Sequence, residues 1–153
     1  MARRPDRAAR ARSLARKFAM QALYQWQLTG QTVAELRNQY ATEEGFEGAD
    51  RDYFAALLQG ATAARESLDE QLGGMLDRPV AQLDPVEHAV LLIGLYELRE
   101  QLDVPYRVVI NEAVDLTKRF GATDGHKFVN AVLDRAARAM RATEQAAAAR
   151  ERA

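Results

Sequence analysis

Asp84-Pro85-Val86-Glu87-His88-Ala89-Val90-Leu91-Leu92-Ile93-Gly94-Leu95-Tyr96-Glu97-Leu98 is the stretch on which the fold class turns. It opens as a helix should. Asp84 suits the N-cap, where a carboxylate accepts from free backbone N–H groups. Pro85 lacks an N–H where none is needed. Glu87 suits the positive end of the helix dipole. Val86, Val90, Leu91, Ile93, Leu95 and Leu98 then cover most sides of a helix running to about Leu102. A helix apolar on most sides belongs at the centre of a bundle.

Downstream, the same signals repeat. Asp103-Val104-Pro105 starts a helix that ends at Phe120-Gly121, where glycine can take the left-handed C-cap conformation. Thr123 or Asp124 is placed to cap a last long helix, with Phe128, Val129, Val132 and Leu133 inward. From Thr143 onward only Ala, Arg, Glu, Gln and Thr occur. Nothing apolar anchors that segment, so fraying is expected.

Upstream, residues 79–83 make the best boundary. Before them, Leu14, Phe18, Ala22 and Trp26 recur every four residues, and Gly30 follows as a stop. This predicts a first helix over roughly 7–29 with those side chains in the core. Thr32-Val33-Ala34-Glu35 has the form of a capping box and opens a short helix carrying Val33, Leu36 and Tyr40. Gly45 to Asp50 reads as a loop. A third helix follows with Tyr53, Phe54, Leu57, Leu58 and Ala61 on its apolar side, and Leu68, Leu72, Met75 and Leu76 continue the pattern to a break at Gly73-Gly74. No strand-type alternation is sustained. The expected fold is all-α: two small three-helix bundles, about seven helices in all. Residues 1–80 form the N-terminal bundle with an arginine-rich arm, 81–142 the C-terminal bundle, and 143–153 a frayed tail.

The formal net charge of −1 hides an asymmetry. Residues 1–17 hold seven bases (Arg3, Arg4, Arg7, Arg10, Arg12, Arg16, Lys17) against Asp6, a charge of +6; the rest of the chain is −7. A local positive field at one end points to a polyanionic partner that the total charge conceals. With no cysteine there is neither a disulfide framework nor a thiolate metal site. No apolar run reaches the roughly 18 residues of a membrane span. The basic N-terminus has no apolar segment behind it, so it does not read as a secretory signal. A cytoplasmic protein is expected.

Arg10, Lys17 and Tyr24 are spaced by seven and share one face of the first helix. Bases hold phosphates, and an aromatic ring offers a stacking surface for a nucleobase. The other reading of this segment is a solvated alanine–arginine tail, and spacing leaves both open. Asp124, His126, Lys127 and Asn130 gather at a helix start, either as an anion site or as an ordinary capped helix with polar surface. His88 and His126 each lack a second ligand at helical ligand spacing, so no metal is expected. Glu112 with Asp115, and Glu97 with Glu100, read as solvated helix faces rather than acid–base pairs. There is no Gly-rich phosphate loop, and serine occurs only at 13 and 67. No catalytic residue, enzyme activity or cofactor is expected. The basic, aromatic first helix also resembles an interfacial membrane helix, but its apolar side is better explained by the core.

Taken together, Ala22-Leu-Tyr24-Gln-Trp26-Gln-Leu28, Val86-Glu87 through Tyr96-Glu-Leu98, Asp103-Val-Pro105-Tyr106 with Ile110-Asn-Glu112-Ala113, and Phe120-Gly-Ala with Asp124 and His126-Lys-Phe-Val-Asn130 resemble the NusB family. The resemblance covers roughly residues 10–140 in order. It implies two three-helix bundles and a function in binding. The implied partners are a boxA-type single-stranded RNA in nascent ribosomal transcripts and the ribosomal protein NusE. Other Nus factors and RNA polymerase would be reached indirectly, and a homodimer is a further arrangement the family allows. The implied activity is transcription antitermination. Arg10, Arg12, Arg16 and Lys17 match the basic run of the family's RNA-binding arm and Tyr24 its aromatic. Lys127 and Phe128 resemble further RNA-face positions, with Asp124 beside them. Glu87 matches an acidic position facing the ribosomal partner. Ala131 stands where glycine is common in the family. Two alternatives accompany this reading: a non-catalytic dimerising scaffold, and the NusB-like module of a ribosomal RNA methyltransferase. The absence of cysteine and of room for a methyl-donor domain counts against the second.

Overall fold

A computed structural model describes residues 6–152; Arg3 and Arg4 of the basic segment lie outside the described residues, as does Ala153. The first helix, α1 (Arg7–Thr29), begins where Asp6 accepts from the Ala9 N–H at 2.6 Å and stops at Gly30, which is left-handed at φ 70°. The capping box of α2 (Val33–Ala41) is present in both directions: Thr32 accepts from the Glu35 N–H, and Glu35 from the Thr32 N–H. A short 3-10 turn at Phe46–Gly48 interrupts the expected loop before α3 (Arg51–Ala63). Asp50 caps α3 by accepting from the Tyr53 N–H at 3.0 Å.

The chain divides into two compact units, residues 1–63 and 64–153. In the first, Ala15, Ala19 and Ala22 are fully buried and let α1 lie close against α3. Larger side chains fill the remaining space. Phe46 stands edge-on to Phe18 at 5.3 Å and to Phe54 at 5.0 Å, and Tyr40 closes the cluster at 6.2 Å from Phe18 and Phe54. Such edge-to-face pairs add about 0.5–1.5 kcal/mol each beyond their buried area. Trp26 and Leu14 are only half-buried, so the apolar stripe of α1 is narrower than the four-residue spacing suggests.

The second unit holds α4 (Arg65–Gly73), a 3-10 turn at Val80–Gln82, α5 (Pro85–Glu100), α6 (Tyr106–Phe120), α7 (Gly125–Met140) and α8 (Ala142–Arg152). The deciding stretch forms α5, with Asp84 accepting from Val86 and Glu87 N–H groups. It is buried along nearly its whole length and packs on α4, α6 and α7. Gly94 permits the α5–α7 approach: a Cβ there would lie 2.9 Å from both methyls of fully buried Leu133.

The expected boundary near residue 80 falls inside this unit, because α4 packs on α5. Leu68 and Leu72 are fully buried. His88 Nε2 lies 2.6 Å from Asp69 Oδ1, and Arg99 of α5 donates to Ser67 and Gln71 of α4. The break that matters is at Ala64, which carries no Gly or Pro to announce it. Among the described residues there are eight α-helices; the eighth, α8, occupies the segment expected to fray. Its anchor is polar. Glu144 accepts from the Tyr106 N–H at 2.9 Å and from Arg141 at 2.6 Å. Glu144 thereby satisfies the start of α6, where Pro105 stands at the N-cap and has no capping side chain of its own.

Two further expectations are corrected. Gly121 is extended (φ −90°, ψ −179°) rather than left-handed. Glycine is required there by space, since a Cβ would sit 2.8 Å from the Thr117 carbonyl oxygen. Asp124 does occupy the N-cap of α7 but makes no capping hydrogen bond through its side chain; its backbone is left-handed at φ 66°.

Candidate nucleic-acid interface

The surface of α1 follows from its heptad geometry. Arg10 is exposed, Lys17 half-buried and Tyr24 exposed at 37%, so the residues spaced by seven do share an accessible face. The Lys17 ammonium rests 4.6 Å from the Phe18 ring centroid. Its stem is thus packed while its charge stays near the surface. Arg12 is held more firmly, with its guanidinium 4.4 Å from the Tyr53 ring centroid and 3.9 Å from Asp50.

Arg16 departs from expectation. It is 2% exposed, with its guanidinium 5.4 Å from the same Tyr53 ring. One turn after Arg12 and three residues before Ala19, it lies on the stripe of α1 that faces α3. Its residue type suggested a surface charge, but its position on the helix buries it.

The second unit carries the other group. The α6–α7 turn places Asp124, Lys127 and Phe128 within one helical turn. Lys127 Nζ lies 3.3 Å from Asp124 Oδ1, with both side chains about two-thirds exposed or more. Such a pair is worth no more than about 1 kcal/mol and yields readily to a competing phosphate. Phe128 is half-buried rather than inward, with the Arg78 guanidinium over its ring at 4.5 Å. Arg119 lies over the exposed Phe120 at 5.0 Å. Sequence reading missed both arginine–phenylalanine pairs. Arg119–Phe120 was open to it as a basic–aromatic neighbour pair; Arg78–Phe128 spans 50 residues and left no local signal.

Glu87 is not on an open face either. It is buried at 8% exposure, and its carboxylate abuts Gly125 at the start of α7, where a Cβ would lie 3.2 Å from the carboxylate. Burial pushes its carboxyl above the ordinary glutamate range; the charge of Asp84 pushes the same way, and that of Arg78 opposes. A raised carboxyl pKa favours the folded state fully only below the unfolded value of about 4.5, and that contribution is lost as pH rises through the folded value. Glu87→Gln is therefore expected to raise the melting temperature at neutral pH. The gain should shrink as pH falls and vanish below about pH 4. Thermal unfolding followed by circular dichroism across pH 3.5–8 checks this; a variant less stable than the parent at pH 7 would show that the charge itself is needed at the α5–α7 contact.

Among the described residues no helix is long and apolar enough to cross a membrane, and no group of three or more His, Cys, Asp or Glu is placed to hold a metal. Fold and surface together define an all-helical protein with a basic, aromatic face on its first helix. The chain belongs to the NusB family, whose sequence profile matches residues 13–138. It is 51% identical over 134 residues to the transcription antitermination protein NusB of Alcanivorax borkumensis, covering 88% of this chain and 89% of that one. To the same protein of a Marinomonas species it is 47% identical over 147 residues, covering 95% and 84%. Its fold is similar to that in the crystal structure of the antitermination factors NusB and NusE in complex with dsRNA, with a TM-score of 0.73 at 28% identity over 85% of this chain and 98% of that one.

Proposed function

We propose that the chain is a transcription antitermination factor that binds a boxA-type RNA together with NusE and promotes read-through by RNA polymerase. Among the structural features, the alignment of Arg10, Lys17 and Tyr24 on one accessible face of α1 carries this reading, in a chain of the NusB family. Arg10, Arg12 and Lys17 draw in phosphates, and Tyr24 stacks on a base. Within the second unit, Lys127 and Phe128 offer a cation and a ring of the same kinds to RNA. Arg16 braces the arm from inside. Glu87 acts on the ribosomal partner indirectly, through the α5–α7 contact it supports. The protein works by binding, without a reaction of its own, in the cytoplasm where transcripts are made.

Transcription on a template carrying boxA and a downstream terminator tests this. Adding the chain with NusE and the remaining Nus factors raises read-through; equal read-through with and without the chain contradicts it. A finer expectation concerns Asp124. Asp124→Asn removes one negative charge and the partner of Lys127, and asparagine tolerates the left-handed backbone at least as well. Freeing Lys127 for phosphate should tighten RNA binding about two- to fivefold. Titration of labelled RNA reads the change; weaker binding would mean that the carboxylate itself touches the RNA.

A further inference from the structure

Arg78 lies on the connector from α4 to α5, immediately before Pro79. Proline restricts the residue before it to extended backbone, so the main chain at 78 has little freedom. The connector is tied to α7 at two points. Arg135 donates to the Met75 carbonyl at 2.6 Å, and the Arg78 guanidinium sits over the Phe128 ring. Phe128 and Arg135 are seven residues apart and share one face of α7. Arg78 itself stays exposed; the nearby carboxyl that feels its charge, Glu87, is buried. A guanidinium stacked on a ring keeps its N–H edges available for the two-pronged binding of phosphate. The cost of ordering a long side chain has already been met by the ring and the pinned connector.

We propose that Arg78 is a further RNA-binding residue, its guanidinium held over Phe128 and donating to a phosphate of the strand that Lys127 and Phe128 contact. The proposal rests on the reading of the chain as an RNA-binding antitermination factor.

Binding of a fluorescent boxA-type RNA to the chain with NusE, measured across salt concentrations for the parent, Arg78→Ala and Arg78→Lys, tests it. Because Arg78 is exposed, both variants should keep their helical spectrum. Arg78→Ala should weaken binding roughly tenfold, as expected for a lost charge-assisted hydrogen bond. It should also flatten the log–log salt slope by about 0.7, the share of one phosphate on single-stranded RNA. Arg78→Lys keeps the slope but loses several-fold in affinity, because an ammonium lacks the planar fork. If Arg78 merely sets the Phe128 ring, Arg78→Ala loses affinity at an unchanged slope, and that result overturns the proposal, as does unaltered affinity. A parent chain that fails to bind the RNA removes the functional reading and this proposal together; a parent that binds while Arg78→Ala keeps its slope removes only the role of Arg78.

Discussion

Arg141→Met is expected to destabilise the second unit by about 3–5 kcal/mol, the range for removing one partner of a buried charged network. Arg141 is 5% exposed and sits just after α7. Its guanidinium donates to the carbonyls of Glu97, Leu98, Gln101 and Val104, at 2.8 to 3.1 Å, and to the Glu144 carboxylate at 2.6 Å. The four carbonyls lie at and just beyond the end of α5, where intrahelical donors run out. One side chain thus closes the central helix, and through Glu144 it ties α8 to the start of α6. Methionine matches much of the stem but donates nothing, so acceptors are left unpaired in a buried place. The melting temperature should fall by roughly 10 °C for a chain of this size. Arg138→Met is the control. Arg138 pairs with Asp134 at 2.7 Å, but its side chain is 69% exposed, so the change should cost under about 1 kcal/mol. Urea unfolding of the three proteins reads both values. Equal, small losses would mean that water replaces Arg141 without penalty.

The largest effect on RNA binding is expected from Tyr24→Ala. Loss of a base-stacking ring costs about 1–3 kcal/mol, roughly five- to 150-fold in affinity. Tyr24 is exposed, so the fold should survive. Stacking releases no counterions, so the salt slope should not change. Arg10→Ala makes the opposite signature, a slope flattened by about 0.7 with a more modest loss at low salt. Arg12→Ala should flatten it less, because Arg12 is partly engaged by Asp50 and Tyr53. Salt titrations of labelled RNA separate the three. A flattened slope for Tyr24→Ala would show that the residue positions a basic side chain rather than stacking on the RNA.

Much of the helix order was legible because it is written in local signals. Gly30, Thr32 with Glu35, and Asp84 with Pro85 act within a few residues, and each is found in its expected place. What escaped depends on contacts far apart in sequence. The assignment of α4 to the second unit rests on pairs such as His88 with Asp69. The anchoring of α8 rests on Glu144 reaching Tyr106, across 38 residues. The site divides the same way. The Arg10, Lys17 and Tyr24 face follows from a seven-residue spacing on one helix, whereas residue type alone gave no means of telling the buried Arg16 and Glu87 from exposed charges.

Fluorescence anisotropy of a short boxA-type RNA and a scrambled control, with the chain alone and with NusE, measures whether the chain recognises boxA and whether NusE enhances it. NusE is expected to strengthen binding, with boxA preferred over the scramble. Equal binding to both RNAs, or no binding under either condition, would contradict it and leave a NusB fold serving as a scaffold.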